Sequence, residues 1–361
     1  MRQLKKGTPD IWLFLIVVFL VGIGVVMVFS ASYYDTLSSD PFYYLKRQGL
    51  FGVAGLLAML VAMNFPYDKY RIFTKPVLLV TVILLVVVFF FDDTKGSHRW
   101  IPLGLFNLQP SEIAKFSVAL FMADILSRQK ADPNDIKGDL GHIVIVVGAI
   151  LALILKEPDL GTTMAIAAMV MIVLLVAGLR WLYFLGTGLV GAAGVVVLIM
   201  NSEYQMRRII GWLDPWSDPI GMGYQPIQSL YALGSGGFWG MGIGNSRQKL
   251  GFLPEQNTDF IFAIIGEELG FIGGAFIILM FILLAWRGYK IARNCPDMFG
   301  TLLATGITTS LVIQAFLNLG VVTNTLPVTG IALPFLSYGG SSLLMSMGAV
   351  GILLNISRYH K

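Results

Sequence analysis

The sequence predicts an all-α polytopic membrane protein in which about ten transmembrane helices form one bundle. Two features of the composition lead to this fold class: 56% of the 361 residues are A, V, I, L, M, F, W, Y or C, and only 13% are charged. Soluble domains carry about 25% charged residues, so this composition excludes both a soluble enzyme and a disordered protein. The third feature is a series of long apolar runs, which fold as helices in lipid because every backbone group there must be hydrogen-bonded internally.

Ten apolar runs are read as membrane spans, and together they make a single integral membrane domain over residues 1–361. The first run follows Arg2, Lys5 and Lys6 as a signal peptide would, but it is longer than a cleavable apolar region, so we interpret it as a retained span. The predicted spans are 11–30, 49–65, 77–91, 111–126, 142–155, 162–178, 182–200, 269–286, 300–322 and 333–356.

The basic residues predict the orientation of the bundle. Ten spans place both termini on one side, and if that side is the cytoplasm, the short inner segments hold 15 of the 25 Lys and Arg residues. Short cytoplasmic loops are enriched in these residues, so we expect both termini in the cytoplasm. A large outer loop, residues 201–258, then lies between spans 7 and 8. Its many aromatic residues indicate a packed structure on the membrane surface.

Glu112 and Lys115 lie at the outer end of the fourth predicted span, three residues apart and on one helix face. One interpretation is an ordinary helix start, in which Glu112 suits the helix dipole and Lys115 reaches to the interface. The other is a charged pair facing the bundle, which in a membrane segment indicates a functional site. Position alone does not choose between them.

Asp259 ends the large outer loop, just before the eighth predicted span. An aspartate at this place is a good helix N-cap. It is also predicted at the same membrane depth as Lys115, because both lie at outer helix ends. An acid beside a cation at the boundary between water and lipid suits a general base, so both interpretations stay open.

Cations on the outer face are not explained by the inside enrichment of basic residues. Lys95 and Arg99, followed by Trp100, lie in the shorter outer loop, and Arg207 and Arg208 lie in the large one. Arg and Lys bind phosphate oxygens, which favours an anionic lipid substrate, whereas simple anchoring at the interface is the alternative. No metal site is predicted, because the single cysteine and the three histidines show no metal-ligand spacing.

Residues 326–342, LPVTGIALPFLSYGGSS, place two prolines and three glycines at membrane depth. Irregular backbone is tolerated there only where protein or a water-filled cavity covers it. We therefore expect a re-entrant segment that borders a cavity.

These motifs together resemble the SEDS family (shape, elongation, division and sporulation), which includes FtsW, RodA and SpoVE. The resemblance covers nearly the whole chain. It is carried by QPSEIAK at 109–115, EPDLGTT at 157–163, the stretch from DPW to RQKL at 214–250, LPEQNTDFIFAIIGEELGFIGG at 253–274 and LPVTGIALPFLSYGGSSL at 326–343. The stretch SRQKLGFLPEQNTDFIF and the ending LLNISRY are most similar to the FtsW and SpoVE branch.

The resemblance implies a SEDS-type bundle and a peptidoglycan glycosyltransferase. Such an enzyme polymerises lipid II on the outer face of the bacterial cytoplasmic membrane, in cell division or sporulation. Asp259 matches the essential aspartate of the family, and Glu112 with Lys115 matches its charged pair on the fourth span. The expected catalytic residues are therefore Asp259, Lys115 and Glu112, and the expected substrate-binding residues are Arg99 and Trp100, which match an RW motif, with Arg207 and Arg208.

The implied reaction needs a base for the acceptor hydroxyl and positive charge for the departing pyrophosphate. We expect Asp259 to be the base and to pair with Lys115 at rest. The linkage changes from α to β, which implies direct displacement with inversion. The one candidate cofactor is a divalent ion, Mg²⁺ or Mn²⁺, which would help to neutralise the pyrophosphate.

The implied partners are lipid II, a class B penicillin-binding transpeptidase and divisome or sporulation proteins, with no nucleic acid. Two other functions use the same residues. A lipid II flippase would need the charges but no base, and a scaffold would only recruit the transpeptidase. Three positions depart from the family pattern: His98 replaces a second arginine, Glu157 replaces a frequent glutamine, and Asn107 stands where some members have a basic residue.

Overall fold

The computed structural model is almost entirely helical, which confirms the predicted fold class. It describes residues 7–37, 39–91, 98–104, 106–129 and 131–359, so Lys95 and the basic residues of the N-terminal six lie outside the described part. The α-helices within these ranges are α1 (Ile11–Ser32), α2 (Tyr43–Asn64), α3 (Tyr70–Val87), α4 (Pro110–Leu126), α5 (Asp139–Lys156), α6 (Leu160–Val176), α7 (Trp181–Met200), α8 (Glu203–Leu213), α9 (Tyr224–Gly236), α10 (Ile261–Asn294), α11 (Met298–Val322) and α12 (Gly340–Ile356). A short antiparallel hairpin, β1 (Ile101–Pro102) with β2 (Asn107–Leu108), precedes α4.

Seven helices of the described chain are long and apolar enough to cross a membrane, namely α1, α2, α3, α5, α7, α10 and α11. Two more, α6 and α12, are apolar but shorter. Each of the ten predicted spans coincides with one of these nine helices or with α4. The remaining two helices, α8 and α9, belong to the large loop.

The helix α11 lies at the centre of the bundle. Most of its residues are buried, and it packs against α4, α6, α10 and α12. In contrast, α7 buries none of its residues. The polar groups that α11 carries are therefore surrounded by protein, and they can join elements that are far apart in the sequence.

The eighth predicted span, which starts at residue 269, coincides with the second part of a kinked helix. The helix α10 begins at Ile261 and is interrupted at Gly270, which has φ 67° and ψ −167°. A Cβ atom at Gly270 would lie only 2.3 Å from the backbone nitrogen of Gly240. Glycine therefore permits both the left-handed backbone and the close approach of the large loop to this kink.

The helical start of the last predicted span, at residue 333, is wrong, because α12 begins at Gly340. Residues 326–339 form no helix, and we call them the unwound segment. Leu333, Phe335 and Leu336 within it are at most 2% exposed. The two prolines and three glycines thus mark irregular backbone inside the bundle, as the sequence predicts.

The large loop is folded against the helices, as its aromatic residues indicate. Its α9 packs on α10, and a buried ion pair joins Lys249 Nζ to Glu268 Oε1 at 2.8 Å. Ser30 of α1 also donates a hydrogen bond to Glu268, at 2.7 Å. Because this ion pair is removed from solvent and hydrogen-bonded, breaking it by removing one partner is strongly destabilising.

The predicted orientation can be tested by cysteine labelling. Cys295 is buried, so it should first be replaced by alanine. In that background Ser217→Cys, which is exposed in the large loop, should react with a membrane-impermeant thiol reagent on intact cells. Gln129→Cys, exposed beyond the opposite end of α4, should react only after permeabilisation. Labelling of Gln129→Cys on intact cells would contradict the orientation.

Candidate active site

Asp259 and Arg99 meet at Gly330 of the unwound segment. A Cβ atom on Gly330 would lie 3.6 Å from Oδ2 of Asp259 and 3.6 Å from Nη1 of Arg99. Gly330 has φ +75°, a conformation that favours glycine. All three residues keep partial solvent exposure. The absence of a side chain at this position therefore leaves space between an acid and a guanidinium group that a ligand can reach.

Arg99 is held by the turn between α5 and α6. Its Nε donates a hydrogen bond to the carbonyl oxygen of Glu157 at 3.1 Å, and its Nη2 donates to that of Pro158. The third nitrogen, Nη1, makes no hydrogen bond to the described residues and faces Gly330. Two anchored nitrogens and one available nitrogen are the arrangement that a preorganised anion-binding arginine requires.

Arg208 brings a second guanidinium group to the same place. Its Nη1 donates a hydrogen bond to the carbonyl oxygen of Val328 at 3.0 Å, and its guanidinium lies 4.5 Å above the Tyr204 ring. The pKa of Arg208 is lowered, mainly by burial and also by the charge of Arg99. Tyr204 and Asp259 oppose this effect. These mutual effects place both arginines within electrostatic reach of the aspartate. We call Arg99, Arg208, Asp259 and Gly330 the Asp259 cluster.

The environment of Asp259 makes its carboxyl group a suitable base. Burial among protein atoms raises its pKa to about 6, the charge of Glu255 raises it, and Arg99 and Arg208 oppose these effects. The side chain itself keeps partial exposure, so surrounding protein rather than complete enclosure causes the shift. A carboxylate with a pKa of about 6 is ionised at neutral pH and accepts a proton more readily than an ordinary aspartate.

Lys115 and Glu112 form a buried ion pair inside the bundle. The Nζ of Lys115 lies 2.8 Å from Oε1 of Glu112, and both residues are at most 4% exposed. Glu112 does lie in the first turn of α4, but the interpretation of Lys115 as a side chain that reaches to the interface is wrong. Lys115 also donates a hydrogen bond to Oε1 of Gln314 on α11. Among the described residues no ion pair joins Lys115 to Asp259, so the expected resting pair between them is not formed.

Two amide side chains on α11 connect the ion pair with the Asp259 cluster. Gln314 donates a hydrogen bond to the carbonyl oxygen of Ala332 at 2.9 Å. Asn318, one helical turn later, donates to the carbonyl oxygens of Asp259 and Ile331, both at 2.7 Å. Sequence reasoning missed both residues. Their signal is two polar side chains four residues apart, hence on one face, within an apolar span.

The structure separates the remaining expected substrate-binding residues. Arg207 points away from the Asp259 cluster: it is exposed, pairs with Glu203 and lines a different recess of about 390 Å³. Adjacent residues of α8 thus face in different directions, and of the two only Arg208 contacts the unwound segment. Trp100 follows Arg99 directly and is half-buried beside the start of β1.

Glu157 is fully buried, and neither of its carboxyl oxygens has a hydrogen-bond partner among the described residues. Burial raises its pKa to about 9, and the charge of Asp159 adds to this effect while Arg99 opposes it. The carboxyl group is therefore neutral at pH 7. A neutral carboxyl group has the same shape as the carboxamide of glutamine, so Glu157→Gln should be tolerated in this buried place.

A metal site is not formed by the described residues alone. They contain no group of three histidine, cysteine, aspartate or glutamate side chains arranged to hold a metal ion. A divalent ion at the Asp259 cluster would have to take further ligands from a bound substrate.

The geometry defines an integral membrane protein with a charged site built where a loop, an unwound segment and several helix ends meet. The family model for FtsW, RodA and SpoVE, described as "Cell cycle protein", matches residues 11–361. The chain belongs to this family.

Individual relatives support the assignment along the whole length. Stage V sporulation protein E of Bacillus subtilis is 46% identical, with 99% of each chain covered. The probable peptidoglycan glycosyltransferase FtsW of Trichlorobacter lovleyi is 45% identical, with 99% of this chain and 95% of the relative covered.

Solved structures show the same fold. One of them is described as "Structural coordination of polymerization and crosslinking by a peptidoglycan synthase complex". It has a TM-score of 0.78 and 28% identity, and the match covers 97% of this chain and 98% of that one. The rod shape determining protein RodA of Thermus thermophilus has a TM-score of 0.72 and 26% identity, with 98% of both chains covered.

The ion pair of α4 predicts a specific pattern of stabilities. Lys115→Met leaves Glu112 buried and uncompensated, so it should destabilise the protein by about 3–5 kcal/mol. The double variant Glu112→Gln, Lys115→Met removes both charges and should be more stable than the single variant. Thermal unfolding of the purified proteins in detergent measures both effects.

The exposed pair of Lys46 and Asp40, with side chains 68% and 44% exposed, provides the control. Lys46→Met should leave the unfolding temperature nearly unchanged. If Lys115→Met unfolds at the wild-type temperature, Lys115 does not compensate a buried charge and the packing described for α4 is incorrect.

Proposed function

We propose that this chain, a peptidoglycan glycosyltransferase of the FtsW, RodA and SpoVE family, polymerises lipid II at the Asp259 cluster. The observation that carries the proposal is the pairing of Asp259 with Arg99 across Gly330, where a Cβ atom would lie 3.6 Å from both groups. This arrangement sets a base beside a cation, with no side chain between them. Transfer of a glycosyl group away from a diphosphate needs both.

Asp259 is the proposed general base. Its carboxylate takes the proton of the acceptor hydroxyl while the hydroxyl oxygen attacks the anomeric carbon of the donor. The bond from that carbon to the diphosphate breaks, and its electron pair leaves with the undecaprenyl diphosphate. One displacement of this kind inverts the anomeric configuration, so an α-linked donor gives a β-linked glycan and no covalent enzyme intermediate forms.

Arg99 and Arg208 are the proposed partners of the diphosphate. Each guanidinium group is already anchored to a backbone carbonyl oxygen, Arg99 to Glu157 and Arg208 to Val328. Anchored donors need little reorganisation when negative charge develops on the leaving group. A divalent ion, if used, would enter with the diphosphate, and the proposed steps do not depend on it.

Lys115 and Glu112 have a different proposed role. Because an ammonium group can only donate, Lys115 fixes Oε1 of Gln314 toward itself and turns Nε2 of Gln314 to Ala332. The ion pair thereby holds the unwound segment that carries Gly330. We propose that its contribution to catalysis is to keep this segment in place rather than to contact the substrate.

The remaining parts of the proposal concern the setting of the reaction. The distribution of Lys and Arg supports a bacterial cytoplasmic membrane protein with cytoplasmic termini and an outward-facing site. The similarity to a peptidoglycan synthase complex supports a class B penicillin-binding transpeptidase as the partner. Divisome or sporulation proteins are further proposed partners.

The decisive variant is Asp259→Asn. Asparagine keeps the shape of the side chain but is not a base, so polymerisation should fall by about 10²–10⁴-fold. The folded protein raises the pKa of Asp259 above its ordinary value, so it favours the neutral carboxyl group. The free energy of unfolding that this preference contributes is lost as the pH rises through about 6. At pH 7.5 the asparagine variant should therefore unfold at the same temperature as the wild type or higher.

The measurement is polymerisation of lipid II by the purified protein with its transpeptidase, read as glycan strands on a gel. Asp214→Asn is the matched control, because Asp214 is exposed in the same loop, and it should polymerise normally. Near-normal polymer from Asp259→Asn would contradict the role of Asp259 as base. No polymer from the wild-type complex would instead favour a flippase or a scaffold.

A further inference from the structure

The short stretch that carries Asp259 is fixed by side chains and backbone from two other parts of the fold. Three consecutive carbonyl oxygens, at positions 257, 258 and 259, each accept one hydrogen bond from a distant residue. Tyr338 N donates to Asn257 at 2.8 Å, and Ser337 Oγ donates to Thr258 at 2.6 Å. Asn318 Nδ2 donates to Asp259 at 2.7 Å. The backbone on the N-terminal side of α10 therefore has little freedom to move.

Asn318 ties this stretch to the unwound segment with one amide group. Its Nδ2 donates both of its hydrogens, one to Asp259 and one to Ile331, at 2.7 Å each. Asn318 is 1% exposed, and its Oδ1 is buried without a partner among the described residues. An unsatisfied buried oxygen costs about 1–3 kcal/mol, which offsets part of the stability that the two hydrogen bonds contribute.

Ser337 makes the second connection. Its hydroxyl donates to the carbonyl oxygen of Thr258 and accepts the backbone N–H of Leu333 at 2.7 Å. The carbonyl oxygen of Ser337 in turn accepts a hydrogen bond from Nε2 of Gln48, on α2, at 3.2 Å. Hydrogen bonds thus hold both the side chain and the carbonyl oxygen of Ser337. Its hydrogen bond to Thr258 therefore restrains the residue before Asp259.

We propose that Asn318 and Ser337 are positioning residues for Asp259. They hold the backbone of Thr258 and Asp259 so that the carboxylate stays opposite Arg99, and they do not touch the substrate. This inference rests on the proposed role of Asp259 as the base. A misplacement of about 1 Å can cost about 10²-fold in rate, so loosening this stretch lowers turnover without removing any substrate contact.

Ser337→Ala tests the inference with little change in volume. It removes the hydrogen bond that the hydroxyl donates to the carbonyl oxygen of Thr258, together with the one that it accepts from the N–H of Leu333. Ser229→Ala is the control for the first of these, because Ser229 is fully buried and donates a bond of the same kind to Val322 at 2.7 Å, away from residues 257–259. Ser337→Ala should lower kcat for lipid II by about 10–100-fold with KM nearly unchanged. Ser229→Ala should keep kcat within about twofold.

Asn318→Asp tests the second residue, because a carboxylate has the same shape but cannot donate to two carbonyl oxygens. Its matched control is Asn355→Asp, since Asn355 is fully buried and donates to Met63 at 2.6 Å at a site remote from Asp259. Both variants should lose stability, but only Asn318→Asp should lower the kcat of the folded enzyme. If Asn318→Asp does not fold, the comparison of Ser337→Ala with Ser229→Ala decides.

The inference is overturned if Ser337→Ala and Ser229→Ala show the same kcat, or if the loss in Ser337→Ala appears in KM alone. Asp259→Asn should be measured in the same assay. If Asp259→Asn is inactive while Ser337→Ala is normal, the positioning role fails and the role of Asp259 stands. If Asp259→Asn is active, the proposed base is wrong, and a fall in kcat for Ser337→Ala then has another cause.

Discussion

The constraint on which this structure depends is that irregular backbone inside a membrane bundle must find hydrogen-bond partners within the protein. Residues 326–339 form no helix apart from a short turn, in which the N–H groups of Leu336 and Ser337 donate to the carbonyl oxygen of Leu333. Side chains satisfy several of the other backbone groups. Arg208 binds the carbonyl oxygen of Val328, Asn318 that of Ile331, Gln314 that of Ala332, and Ser337 receives the N–H of Leu333. The hydrogen bonds that polar residues of the apolar helices make to the unwound segment therefore explain why those residues lie inside the bundle.

The same segment gives the charged groups their arrangement. It supplies Gly330, which leaves space between Asp259 and Arg99, and its contact with Gln314 connects it to the buried ion pair of Lys115 and Glu112. A helix in this place would satisfy its own backbone and would need none of these side chains. The irregular backbone therefore requires polar groups in the bundle. Those groups make a partly exposed carboxylate and two anchored guanidinium groups possible in an otherwise apolar protein.

Much of this organisation could be predicted from the sequence, and the errors have physical causes. Long apolar runs gave the helices, and the motifs placed Asp259, Arg99 and Arg208 in one site. Equal membrane depth wrongly predicted a pair between Lys115 and Asp259, because depth does not define the direction in which a helix faces. Arg207 and Arg208 have different surroundings for a related reason: neighbours on a helix point about 100° apart, and only Arg208 contacts the unwound segment. Asn318 and Gln314 bind backbone oxygens, and no sequence motif records such contacts.

The central claim is that one carboxylate, Asp259, accepts a proton as lipid II is polymerised, and the pH dependence of kcat tests it most directly. The pKa of Asp259 is raised to about 6 by burial, and protonation removes the base. We expect a kcat that is level above about pH 7 and falls about tenfold for each pH unit below the midpoint near 6. Glu157→Gln replaces the buried carboxyl group of Glu157 with an uncharged amide of the same shape. This variant should show the same midpoint near pH 6. A kcat that does not change between about pH 5 and pH 8 would contradict the account.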